Sequence, residues 1–142
     1  MDFSNTVTID RPRHEVFSFL ADLENIPKWN YAIVETRKLS DGPVGVGATF
    51  RQVRSVPSPR EESLQVVGFE PDRHLAIRGD LGPFSGTLAY DLEEVGGRTQ
   101  VTNTAHLEGR GLMKAAAPLA AGRVSNAVAA NLGALKELLE GR

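Results

Sequence analysis

Apolar and polar positions change rhythm three times along the chain. Phe3, Asn5, Val7 and Ile9 alternate with Ser4, Thr6 and Thr8, the two-residue period of a strand. Asp10 then offers a capping side chain, Pro12 a first-turn residue and Glu15 a negative charge for the positive helix end. A short helix is predicted there, with Val16, Phe17 and Leu20 on its buried stripe. Leu23 to Tyr31, interrupted by Pro27, reads as a second short helix or turn that ends in Trp29 and Tyr31. From residue 32 to 109, β-rich runs are separated by turn chemistry at Asp41-Gly42-Pro43, Pro57-Ser58-Pro59, Glu70-Pro71-Asp72, Gly79 to Pro83 and Gly96-Gly97. The spacing predicts six antiparallel strands near 32–39, 47–56, 61–69, 73–79, 84–94 and 98–108. Gly96-Gly97 is the clearest hairpin signal. Residues 111–140 then lose the β period, and Val124, Val128, Leu132, Leu135 and Leu139 step by four and three. This is a long amphipathic helix, with Pro118 expected at its start or at a kink.

Those elements predict an α+β fold: a curved seven-stranded antiparallel sheet wrapped around a long C-terminal helix, with two short helices after the first strand. A sheet that grips a helix either packs solid or encloses a space. On the helix, Val124, Ala127, Val128, Asn131, Leu135 and Leu138 share one sector, which mixes large side chains with alanine around an amide. Alternation brings Gln52 and Arg54 inward with Phe50, brings Phe84, Gly86 and Tyr90 inward with Leu88, and brings Asn103 inward with Val101 and Ala105. Apolar walls with a few polar groups are the usual make-up of a small-molecule pocket. Each position also has a plainer reading. Asn131 fits a hydrogen bond to backbone in a solid core, Gln52 and Arg54 a splayed edge facing water, and Trp29 with Tyr31 a plug over the core.

Composition removes several functional classes. The 142 residues carry 16 basic and 18 acidic side chains, so 16 − 18 = −2, which is not the basic footprint of a nucleic-acid binder. Without cysteine there is no disulfide, thiolate metal site or thiol nucleophile. The N-terminus lacks a secretory pattern, and no run of about 18 apolar residues occurs. The expectation is one cytoplasmic domain spanning residues 1–142, without stable membrane insertion, as monomer or homodimer. His14, His74 and His106 all fall on polar phases and read as exposed, with no metal-ligand spacing. Gly42 to Gly47 lacks the Lys-Ser/Thr of a phosphate loop and leads into a strand, so it reads as a hairpin loop. Glu61-Glu62 and Glu93-Glu94 read as ordinary surface. No cofactor or metal is expected, and any catalysis would fall to Arg54, Tyr90 and Gln52.

Four segments resemble a known family. Thr8 to Phe17 is similar to the strand-to-helix opening of the polyketide cyclase/dehydrase-like proteins of the START-like, helix-grip (SRPBCC) superfamily. Ala21 to Trp29, Gly45 to Phe50 and Leu135 to Glu140 resemble three further structural segments of that family. The resemblance covers essentially the whole chain. It implies a deep hydrophobic cavity between sheet and helix, in a family whose members bind lipids, steroids, polyketides, hormones or quinones. Some members cyclise or dehydrate polyketides, and some act as co-chaperone modules. The leading expectation is therefore a binder of a small hydrophobic molecule. Its wall would comprise Trp29, Phe50, Leu64, Val66, Leu75, Ile77, Phe84, Leu88, Tyr90 and Leu135, with Gln52, Arg54, Asn103 and Asn131 orienting a polar group. The alternatives are a cyclase or dehydratase that uses those polar groups, and an interaction module without a ligand.

Overall fold

The computed structural model describes residues 1–141. Strand β1 (Asp2–Ile9) leads into α1 (Arg13–Ala21), a 3₁₀ turn at Leu23–Asn25 and the one-turn helix α2 (Ile26–Trp29). Six strands follow: β2 (Ile33–Lys38), β3 (Thr49–Arg54), β4 (Arg60–Glu70), β5 (His74–Leu81), β6 (Phe84–Val95) and β7 (Arg98–Gly109). Helix α3 (Met113–Glu140) ends the described chain. All seven strands form one antiparallel sheet in the order β1-β7-β6-β5-β4-β3-β2, the α+β arrangement that the hydrophobic pattern predicts.

Local chemistry explains the joints. Val95 pairs with Arg98, so Gly96-Gly97 is a two-residue loop, and both glycines have positive φ, 59° and 79°. Only residues tolerant of that region make a turn whose twist suits the flanking strands. A second glycine pair shapes the sheet itself. Gly79 and Gly86 lie opposite each other on β5 and β6. A Cβ at Gly79 would stand 2.3 Å from the Ser63 carbonyl oxygen, and one at Gly86 2.0 Å from that of His106. Gly86 also has φ +149°, so side chains are excluded where neighbouring backbones crowd together and the sheet bends.

One expectation about a helix end is corrected and another is narrowed. Asp10 does not cap α1: Pro12 occupies that position without a side-chain bond. The Asp10 backbone N–H instead donates to Glu140 Oε2 at 2.8 Å, joining the start of α1 to the end of α3. Pro118 lies inside α3, past its first turn, and the helix continues through it. The carbonyl that loses its donor there belongs to Lys114, an exposed residue, so water can satisfy it.

Helix α3 packs on one flank of the sheet, against β1, β7 and α2. Asn5 Nδ2 donates to the Ser125 carbonyl at 3.1 Å, and Lys136 Nζ to that of Thr8 at 2.7 Å, fixing the helix along β1. Its C-terminal half contributes Leu132 and Leu135 to the larger of two hydrophobic clusters, beside α1, α2 and the strand residues Phe50, Val66 and Leu75. The smaller cluster gathers Phe84, Ala105, Leu107 and Ala117 at the opposite end. Leu138, predicted on the same helix face as Leu135, is 43% exposed, while Leu135 is fully buried. Leu135→Ala is therefore expected to cost about 2–5 kcal/mol in a denaturant-unfolding measurement, and Leu138→Ala less than about 1 kcal/mol. Equal costs would show that the helix presents a different face.

Candidate functional site

Between the two clusters the sheet and α3 part, leaving a cavity of about 620 Å³. Its walls come from every layer: Leu23, Ile26 and Trp29 from the turn and α2, Gln52 and Arg54 from β3, Leu75 and Ile77 from β5, Leu88 and Tyr90 from β6, and Val124, Val128, Asn131 and Leu132 from α3. Tyr31, Val56, Pro57, Arg123 and Ala127 also line it but are exposed, so they mark the opening. The volume falls within the range of drug-sized ligand sites.

Of the residues singled out from the sequence, Trp29, Gln52, Arg54, Leu64, Leu75, Ile77, Phe84, Leu88, Tyr90 and Asn131 meet at this cavity. Phe50, Val66, Asn103 and Leu135 do not line it, although all four are buried. Phe50, Val66 and Leu135 lie within the larger cluster, where a strand's inward phase ends in packed side chains rather than in the void. Asn103 sits on β7 opposite Tyr90 and Asn5, and its Nδ2 donates to the Ala89 carbonyl at 3.3 Å. Inward phase was legible along each strand; depth beneath the helix was not.

The largest correction concerns Glu62, read as surface. Its side chain has no exposure, and it accepts hydrogen bonds from Gln52 Nε2 at 2.8 Å, Arg54 Nε at 2.8 Å and the Gly82 backbone N–H at 2.5 Å. Gln52 faces Glu62 directly across β3 and β4, which puts amide and carboxylate side by side on the concave face. A buried carboxylate persists when charge and hydrogen bonds surround it, and here Arg54 supplies the charge. Alternation did carry the signal, since Glu62, Leu64 and Val66 share one phase of β4. His74 is likewise only half-buried rather than open, its Nδ1 lying 2.7 Å from Asp91 Oδ1. His14 and His106 are exposed and pair with Asp72 and Asp2, each at 2.9 Å. The hydrogen bond from His106 holds the Asp2 carboxyl below its usual range.

The cavity's polar groups are few. The Trp29 ring stands edge-on to Tyr90, centroids 6.3 Å apart. Burial pushes the Tyr90 hydroxyl pKa above its ordinary value, so it remains a neutral donor and acceptor. Arg54 is 12% exposed and already neutralised by Glu62, whereas Arg123 at the mouth has no ion-pair partner among the described residues. Among the described residues, the lining holds no histidine, aspartate, glutamate, lysine, serine or threonine. No group of acidic and histidine side chains among the described residues could hold a metal ion.

A family model described as polyketide cyclase / dehydrase and lipid transport matches residues 1–140. The chain belongs to that family. Solved structures share the fold of this polyketide cyclase/dehydrase-family protein at low identity. The di-domain aromatase/cyclase BexL from the BE-7585A biosynthetic pathway superposes with a TM-score of 0.80 at 16% identity, over 99% of this chain. The chain spans 46% of that two-domain protein. A conserved protein from Geobacillus kaustophilus superposes at 0.78 and 16% identity, covering 99% of this chain and 96% of its own. The Zhui aromatase/cyclase from Streptomyces sp. R1128 does so at 0.76 and 16% identity, covering 99% and 93%. None of the curated proteins matches the chain in sequence. No helix among the described residues of this family member is long and apolar enough to cross a membrane.

The buried Tyr90 hydroxyl should resist ionisation while the protein stays folded. Tyr31 is 76% exposed and Tyr90 5%. Because the folded-state pKa of Tyr90 is raised, the stability it contributes is complete below its unfolded value of about 10 and is lost as pH rises beyond it. Absorbance at the tyrosinate band is expected to show an ionisation that comes only with alkaline unfolding and is absent in Tyr90→Phe. A Tyr90-dependent ionisation in the folded protein, before any unfolding, would contradict the buried hydroxyl.

Proposed function

We propose that this protein binds a small, largely apolar molecule in the cavity between its sheet and α3. The supporting observation is the wall itself: about 620 Å³ of space enclosed mainly by aliphatic and aromatic side chains, with its interior cation already balanced by Glu62. Burial of a guest against such a wall contributes about 25 cal/mol for each Å² of apolar surface removed from water. Family membership and the shared fold of the aromatase/cyclases support a guest of polyketide or lipid type.

A cyclase or dehydratase needs a group that takes or gives a proton at working pH. Among the described residues the lining offers the Tyr90 hydroxyl, with its raised pKa, the Tyr31 hydroxyl at the mouth, and the guanidinium groups of Arg54 and Arg123. Glu62, the nearest carboxylate in the construction of the wall, is occupied by three donors behind it. That chemistry favours holding a guest over transforming it.

Pyrene, an apolar fluorophore without hydrogen-bonding groups, tests the reading. It is expected to bind at one equivalent, with its vibronic intensity ratio shifting to that of an apolar medium. Filling the helix side of the void with Val124→Phe, Ala127→Phe and Val128→Phe together should weaken binding by about tenfold or more while leaving the melting temperature unchanged or higher. Undiminished pyrene binding by the filled variant would place the guest elsewhere.

A further inference from the structure

Two of the buried side chains that line the cavity end in polar atoms with no protein partner: Trp29 Nε1 and Gln52 Oε1. Trp29 is 7% exposed and Gln52 2%. A buried polar atom left alone costs free energy, so each defines what a guest must bring. The indole N–H asks for an acceptor. The amide oxygen asks for a donor.

The orientation of the Gln52 amide is decided by chemistry. Its nitrogen lies 2.8 Å from Glu62 Oε1. A carboxylate only accepts, so the amide must turn its NH₂ toward Glu62 and its oxygen away. Glu62 is itself locked by Arg54 and by the Gly82 backbone, so neither group can exchange roles. The β3–β4 register that sets Gln52 opposite Glu62 thus leaves an acceptor without a protein partner on a side chain of the cavity wall.

We propose that Gln52 is a specificity determinant of the cavity: its Oε1, held outward from Glu62, selects guests that carry a hydrogen-bond donor, and disfavours ethers and carboxylates of the same shape. This rests on the cavity being the binding site. A hydroxyl group satisfies the requirement and, through its own oxygen or a neighbouring carbonyl, the guest also supplies the acceptor for Trp29. An ether leaves Gln52 Oε1 unpaired, and a carboxylate sets like partial charges together while Arg54 is already matched by Glu62. Glu62 is accordingly a positioning residue, acting through Gln52.

The test uses three probes on one apolar frame: 1-hydroxypyrene, 1-methoxypyrene and pyrene-1-carboxylate. Binding is followed by quenching of Trp29, the sole tryptophan. The hydroxy probe is expected to bind about tenfold or more tighter than the methoxy probe, and tighter than the carboxylate. Gln52→Met keeps the side-chain length and removes the acceptor, so it should erase that preference by weakening the hydroxy probe and strengthening the methoxy probe. Glu62→Gln allows the neighbouring amides to exchange roles, and should likewise relax the selection. If Glu62→Gln does not fold, Gln52→Met still decides. Equal affinity for all three probes in the wild type would overturn the proposal while leaving cavity binding intact, because water then satisfies Gln52 as well as a guest does. So would tightest binding of the carboxylate, or a preference that survives Gln52→Met. Failure of every probe to bind would remove the cavity reading and this inference with it.

Discussion

The space in this molecule exists because α3 is held along one flank of a sheet that curves past it. Asn5 and Lys136 tie the helix to β1, and its packing partners are β1, β7 and α2. The strands from β3 to β6 meet it through the side chains of two hydrophobic clusters rather than along their length. Protein interiors normally fill at near-crystalline density, so a gap of this size survives only if the elements around it are stable without closing it. The two hydrophobic clusters provide that stability from either end. Leu132 and Leu135 anchor the helix in the larger, and Ala117 with Phe84 and Leu107 holds the smaller. Leu81 and Leu88 touch both clusters and span the gap between them.

Within this frame, polar chemistry is confined to a short stretch of the wall. Pairing Gln52 and Glu62 across two strands, with Arg54 two residues along β3, buries a carboxylate, a guanidinium and an amide together. Such a cluster is a weak source of net stability, since the desolvation of each charge offsets much of their attraction. Its geometric effect is larger. It fixes the amide, compensates the interior cation and leaves the chamber nearly neutral. Arg123, which has no ion-pair partner among the described residues, stands at the opening instead, where water screens it. The family is described as polyketide cyclase / dehydrase and lipid transport, and under the proposed function the residues of this wall are where differences in guest polarity would be set.

The inventory of side chains around the void supports the proposed holding role. Proton transfer near neutral pH requires a group whose pKa lies within reach, and burial moves Tyr90 away from that range. The histidines are all placed outside the cavity and paired with aspartates at the surface. Hydrogen-bond recognition and apolar contact are what this lining supplies.

Periodicity along the chain determined the seven strands, the long helix and the inward phase of each strand, because a side chain's face follows directly from the backbone repeat. Gly96-Gly97 specified its hairpin for the same local reason, as did the loop that carries Gly42 and Gly47 at positive φ. The four segments resembling helix-grip proteins pointed to the fold as a whole. Depth was decided elsewhere. Phe50, Val66 and Leu135 share their phase with cavity residues, yet they lie where α1, α2 and α3 fill the concave face. Leu138 was placed on the wrong side because α3 leans toward β1 rather than sitting over the middle of the sheet. The burial of Glu62 depended on strand register, which brings Gln52 and Arg54 of β3 and the distant Gly82 backbone to one carboxylate. Faces are a one-dimensional property of the sequence; which faces meet, and which stop short of meeting, depends on how distant elements stack, and only the tertiary structure carries that.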